Sequence, residues 1–215
     1  ISSGLLVFLT LGGVLNILVS ISQQYILHDL WAGTALIVGV FLLSHIIELP
    51  LDIYQTFKIE QKFGFNRTSV SQFFKDQCLQ IALMLIIGTP VIYGLLWVMS
   101  QMGEYWWAYA WVLTIAFTFF MTWLVPTVIA PLFNTFTSLE DAQLKSRIQD
   151  LLERCGFNSN GIFVMDGSRR SGHGNAYFTG IGNNKRIVFY DTLIESLDPD
   201  EVEAVLAHEL GHFKC

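Results

Sequence analysis

The chain has 215 residues, of which 53% are hydrophobic and only 14% charged, and its mean hydropathy is positive. That balance excludes an ordinary soluble domain and describes a membrane protein. A net charge of −6, with no basic run interleaved with aromatics, excludes a general nucleic-acid partner.

An uncharged apolar run at about 1–21 is long enough to cross a bilayer, and Gly12, Gly13 and Asn16 mark its packing face. After a polar connection around Gln23 to Asp29, a second span covers about 31–51. It carries His45 and Glu48 three residues apart on one face, where each either lines a polar interior or lies near the interface and snorkels. Residues 52–77 alternate charged and aromatic side chains, among them Tyr54, Phe57, Lys58, Glu60, Phe63, Phe65 and Arg67, and read as an amphipathic cytosolic loop. Asn66-Arg67-Thr68 matches a glycosylation sequon, but the loop is basic, and Thr68 or Ser69 reads instead as the cap of the next helix. A third span at about 78–100 contains Pro90, which is expected to kink it. A fourth, at about 105–129, enters through an aromatic belt of Tyr105, Trp106, Trp107, Tyr109 and Trp111. All twelve Lys and Arg fall in the 52–77 loop or after residue 130, which puts both regions on the cytoplasmic side.

Past Pro126 and Pro131 the composition becomes that of a soluble domain, dividing the chain into a membrane domain at 1–130 and a cytosolic domain at 131–215. A helix is predicted from Ser138 to Cys155, with a Ser138/Asp141 capping box, apolar positions at Leu139, Ala142, Ile148, Leu151 and Leu152, and Gly156 as its stop. Ile162 to Met165 reads as a short buried strand, and Asn175 to Thr179 with Arg186 to Tyr190 as a hairpin joined through Gly180 to Asn184. The exposed edge of such a sheet can take an extended peptide as an added strand. Between the strands, the loop Asp166 to Gly174 is small and polar. Arg169 and Arg170 can read a substrate carboxylate there, and His173 can assist an oxyanion, ligate a metal or simply be solvated.

The last helix is the best announced. Asp198-Pro199-Asp200-Glu201 supplies a cap, a proline at the first helical position and a Glu at the third, and the acidic residues suit the positive end of the helix dipole. It carries His208-Glu209-Leu210-Gly211-His212, an H-E-x-x-H pattern. At about 100° per residue, Val202, Leu206, Leu210 and Phe213 form one apolar stripe, with His208 and His212 roughly opposite and a turn apart. Two imidazoles so placed supply two of the three protein ligands of a catalytic zinc, one per chain, whose bound water becomes acidic, and Glu209 lies beside them to take its proton. Gly211 leaves the helix surface bare between them.

Three further stretches carry a resemblance. Pro50-Leu-Asp-Ile-Tyr54-Gln-Thr-Phe57-Lys-Ile-Glu60-Gln-Lys-Phe63-Gly64-Phe65-Asn66, then Pro126-Thr-Val-Ile-Ala-Pro131-Leu-Phe133-Asn134, then Gly174-Asn175-Ala176-Tyr177-Phe178-Thr179-Gly180 resemble the type I CAAX prenyl protease family of integral-membrane zinc metallopeptidases. The resemblance implies a ring of membrane helices around a chamber, capped by a cytosolic zinc domain that hydrolyses peptide bonds. It makes His208 and His212 zinc ligands, Glu209 the general base, and Asn175 with Ala176 the edge that aligns the substrate backbone. A third ligand, a Glu downstream of the motif, is a feature of the family and is not among these residues.

The fold class expected is therefore a multi-pass α-helical membrane protein with a small α+β zinc-peptidase domain, truncated: the chain starts at Ile1 rather than Met and stops three residues after the motif. With two ligands the piece is expected to hold zinc poorly and to show little activity. Cys78, Cys155 and Cys215 are odd in number and form no C-x-x-C pair, indicating reduced thiols. The expected partners are membrane lipid and a peptide or protein substrate, lipidated or membrane-associated, and the location preferred is a bacterial inner membrane over that of the endoplasmic reticulum. Two other readings compete: an intramembrane protease, disfavoured because the motif follows a long polar domain, and a non-catalytic membrane chaperone or scaffold with a vestigial metal motif.

Overall fold

The computed structural model describes residues 12–26, 28–157, 159–179 and 185–214, with side chains described as far as residue 211. Half of the first expected span, the turn Gly180 to Asn184, Cys215 and the side chains of His212 and Phe213 thus lie outside the described residues. Contacts divide the chain into two compact units, one of residues up to 58 together with 70–117, the other of 59–69 together with 118 onward.

The first unit is helical. It contains α1 (Val14–Tyr25), α2 (Asp29–Tyr54), α3 (Val70–Leu83), α4 (Thr89–Gln101) and the start of α5 (Trp106–Leu124). α2 packs against both α1 and α4. Gly33 permits the second contact, because a Cβ there would meet Leu96 Cδ1 at 3.1 Å, and Trp31 leans on Tyr93 with ring centres 4.6 Å apart.

Among the described residues three helical segments are long and apolar enough to cross a membrane: Asp29–Glu60, Val70–Gln101 and Gly103–Phe133. They outrun the apolar stretches that announce them. Residues 52–60 and 70–77, expected within one interfacial loop, are helical, since charged and aromatic residues continue a helix once a span has nucleated it. Pro90 falls in the first turn of α4. The preceding turn, Met84–Gly88, widens to a π-helix, so the Ile86 carbonyl that the proline ring would strike belongs to a loosened ladder. Pro126 lies inside a similar turn, Val125–Ile129, where the hydroxyls of Thr122 and Thr127 donate to the carbonyls of Thr118 and Trp123.

The second unit holds α6 (Ala130–Phe133), β1 (Phe136–Ser138), α7 (Ala142–Arg154), β2 (Ile162–Met165), β3 (Ala176–Thr179), β4 (Arg186–Tyr190), α8 (Asp191–Ser196) and α9 (Pro199–Lys214). The strands order β1-β2-β4-β3, with β2 and β4 parallel and the outer pairs antiparallel. Ile162 stands opposite Ile187 and Ala176 opposite Phe189, so one face of the sheet joins Leu144, Ile148, Val202 and Leu206 in the core under α7, α8 and α9. The other face is covered too. Phe136, Phe163, Tyr177 and Val188 line a cavity of about 90 Å³ closed by Pro126, Thr127, Ala130 and Pro131.

Strand β1 corrects the sequence reading. Ser138 is no helix cap but pairs with Phe163, and α7 begins at Ala142 with Asp141 as its N-cap, accepting from the N–H groups of Gln143 and Leu144 at 2.9 and 3.0 Å. The far end of α7 is as expected. Gly156, at φ 64°, closes it with bonds from Phe157 N–H to the Leu152 carbonyl and from its own N–H to that of Glu153, a Schellman motif.

Candidate active site

α9 is built as its sequence announces. The Asp198 carbonyl accepts from Glu201 and Val202, while the Asp198 N–H donates to the Glu201 carboxylate at 2.9 Å, which is the Glu half of a capping box. Val202, Leu206 and Leu210 are buried. Consequently His208 is exposed, Glu209 half-buried, and among the described residues nothing lies within 4 Å of where a Cβ on Gly211 would be. His212 follows one turn on in the same helix.

Ion pairs from α7 hold the start of this helix. The Arg147 guanidinium reaches Asp200 at 2.5 Å and Glu203 at 2.7 Å, and Arg154 adds a contact to Glu203 at 3.1 Å. The hydrogen bond from Arg147 is the chief cause that keeps the Glu203 carboxyl below its ordinary range, and the same bond, with Asp200 second, raises Arg147. α9 also packs against α8 and against β3, the strand that ends the described sheet.

Asn175 is exposed immediately before β3, its carbonyl accepting from Tyr190 at 2.9 Å, and Ala176 opens the strand with its side chain buried. One residue on, burial is the main cause that pushes the Tyr177 phenol up, with Tyr190 second, so it stays protonated at neutral pH and points at Met165 Sδ at 3.9 Å. The motif helix and the sheet edge are thus brought together.

The loop from Asp166 to Gly174 is clamped from several sides. Asp166 accepts from the Thr135 N–H at 2.7 Å and pairs with Arg169 at 3.2 Å, while Arg170 donates to Asn134 Oδ1 at 2.9 Å. Both arginines therefore brace the loop. Asp191 takes the hydroxyl and the N–H of Ser168, and Thr192 Oγ1 donates to the His173 carbonyl at 2.9 Å. On its other side lies a strap from between α2 and α3. There Gly64, at φ 77°, turns the chain through a second Schellman motif. The Gly172 N–H donates to the Phe65 carbonyl at 2.8 Å, and the Arg170 carbonyl accepts from the Arg67 N–H at 3.1 Å and the Thr68 hydroxyl at 2.9 Å. Thr68, offered by the sequence as a helix cap or a sequon residue, is a bridge to this loop. His173 is exposed and stacks on the Phe65 ring, centres 4.1 Å apart. Phe65, Asn134, Asp166 and Asp191 were not singled out as site residues by their chemistry, since each matters through a partner distant in the sequence.

The donor chemistry suits a metal: one exposed imidazole beside a carboxylate, open space over Gly211, and a second histidine a turn further on. Among the described residues, which exclude the His212 side chain, no three such donors converge.

Two family models together match nearly the whole chain: residues 1–135 match that of the CAAX prenyl protease N-terminal region, described as five membrane helices, and residues 138–215 match that of peptidase family M48. The chain is 41% identical over 194 residues to a CAAX prenyl protease 1 homolog of Oryza sativa, covering 90% of this chain and 45% of the relative. It is 42% identical over 173 residues to CAAX prenyl protease 1 of Saccharomyces cerevisiae, covering 80% and 38%. The crystal structure of S. mikatae Ste24p superposes with a TM-score of 0.89 at 35% identity, over 99% of this chain and 50% of that one. The chain thus spans about half, or somewhat less, of the length of the relatives it matches. Those relatives are a plant and yeasts, which overturns the preference for a bacterial inner membrane.

Proposed function

Because the chain belongs to the CAAX prenyl protease family of membrane metallopeptidases, we propose that it carries the H-E-x-x-H part of a zinc endopeptidase acting on prenylated CAAX proteins. The observation that carries this reading is the placement of α9. Its capped start and buried stripe turn His208 outward, and the helix packs beside the edge strand β3.

His208 and His212 would hold the zinc, which when bound polarises a scissile carbonyl and acidifies water. The Glu209 carboxylate accepts the proton of the attacking water and returns it to the departing amine. Asn175 and Ala176 begin an edge whose outward backbone groups pair with an extended substrate and hold its scissile bond in register. The apolar spans keep a lipidated substrate in the same layer as the enzyme.

The test is Glu209→Gln in the full-length protein. Zinc, measured by mass spectrometry, stays at one per chain, while hydrolysis of a prenylated peptide falls by about a thousandfold. His208→Ala loses the metal as well. Hydrolysis unaffected by Glu209→Gln, or wild-type protein that takes up no zinc, would overturn the reading and return a non-catalytic scaffold.

A further inference from the structure

His173 lies three residues before β3, and both of its backbone polar groups are engaged: its N–H donates to Ser171 Oγ at 3.2 Å and its carbonyl accepts from Thr192 Oγ1 at 2.9 Å. One face of its imidazole is covered by Phe65, with ring planes 19° apart, and neither ring nitrogen has a hydrogen-bond partner among the described residues. Phe65 is itself fixed, because its carbonyl accepts from Gly172 and its N–H donates to Glu60 at 2.9 Å. The side chain has therefore lost its rotational freedom with its donor and acceptor still available. His173 is exposed, so its nitrogens meet water in the free protein, and a ring already held by stacking gives up less freedom when a ligand replaces that water.

We propose that His173 donates a ring N–H hydrogen bond to a carbonyl oxygen of the extended peptide lying along β3, and that Phe65 is a positioning residue that orients the imidazole for it. The strap between α2 and α3 then forms one wall of the peptide site. This rests on the proposed function above, and the two fail separately. Arg169 and Arg170 are turned to Asp166 and Asn134, which leaves His173 as the group of this loop that meets substrate.

The experiment measures the dissociation constant of a fluorescent prenylated peptide for the full-length, zinc-loaded protein in the Glu209→Gln background, where no turnover intervenes. His173→Ala weakens binding roughly fivefold, and Phe65→Ala by a similar factor. Combining them costs no more than His173→Ala alone, because Phe65 acts through the ring it holds. Phe65→Tyr, which keeps the stacking face, restores binding. Effects that multiply, an unchanged dissociation constant in His173→Ala, or no rescue by Tyr would overturn the proposal even where Glu209→Gln itself behaves as expected. A thermal melt of each variant accompanies the measurement, and a Phe65→Ala protein that loses binding only in proportion to its unfolded fraction also overturns it.

Discussion

Gly167 is buried against the ring of Tyr190, whose Cδ2 lies 2.5 Å from where a Cβ would stand. That ring is edge-on to Tyr177, with centres 6.3 Å apart, so Gly167→Ala must displace a packed aromatic pair. The expected loss is about 1–3 kcal/mol, read from a denaturant midpoint. Glu203 makes a different prediction. Its folded pKa lies below the unfolded one, so the stability it contributes is complete above the unfolded value and is lost as pH falls through the folded value. Melting temperature followed from about pH 7 to about pH 3 therefore declines, and Arg147→Met makes the decline shallower. At this scale the sequence discloses groups but not partners. His208 and Glu209 stand out in the sequence because their pattern is local, whereas the acceptor of Arg170 on Asn134 lies 36 residues upstream and leaves no such pattern.

Elements were legible in proportion to their length and their end signals. α9 was read from its cap and stripe, and Glu201→Ala, which removes the bond to the Asp198 N–H, should cost about 0.5–2 kcal/mol by thermal melt. Leu206→Ala, in the fully buried middle of the same stripe, should cost about 2–5 kcal/mol and is the harsher test of the packing. β2 and β4 were found because they are continuous apolar runs. β1 was not, since three residues with one half-buried position offer no period, and Ser138 is equally at home in a cap. The wide turns at Met84–Gly88 and Val125–Ile129 have no pattern in composition; only the prolines beside them hint that the ladder must adjust.

At the scale of the molecule, hydropathy shows that the chain spans membrane but not where its compact units divide. Residues 59–69, which run from the end of one span to the start of the next, nevertheless belong with the sheet, through bonds from Gly172 to Phe65 and from Arg67 to Arg170. Those two amides should show a common protection factor against deuterium exchange, as rungs of one bridge, and a much less protected Arg67 would show the strap to be a passive connector. Charge counts and residue patterns likewise say nothing reliable of the source organism, which is why the bacterial expectation fell to the plant and yeast relatives.

The strap has a consequence for anyone wishing to cut the protein apart. A clone beginning at residue 118 would encode every described strand and the motif helix while omitting Phe65, Arg67 and Thr68, leaving the Arg170 carbonyl and the Gly172 amide to water. On the ribosome the same discontinuity imposes an order of assembly, since this early piece emerges long before the loop that receives it. A transplant of residues 59–69 onto the excised fragment by a short tether would mend the cut.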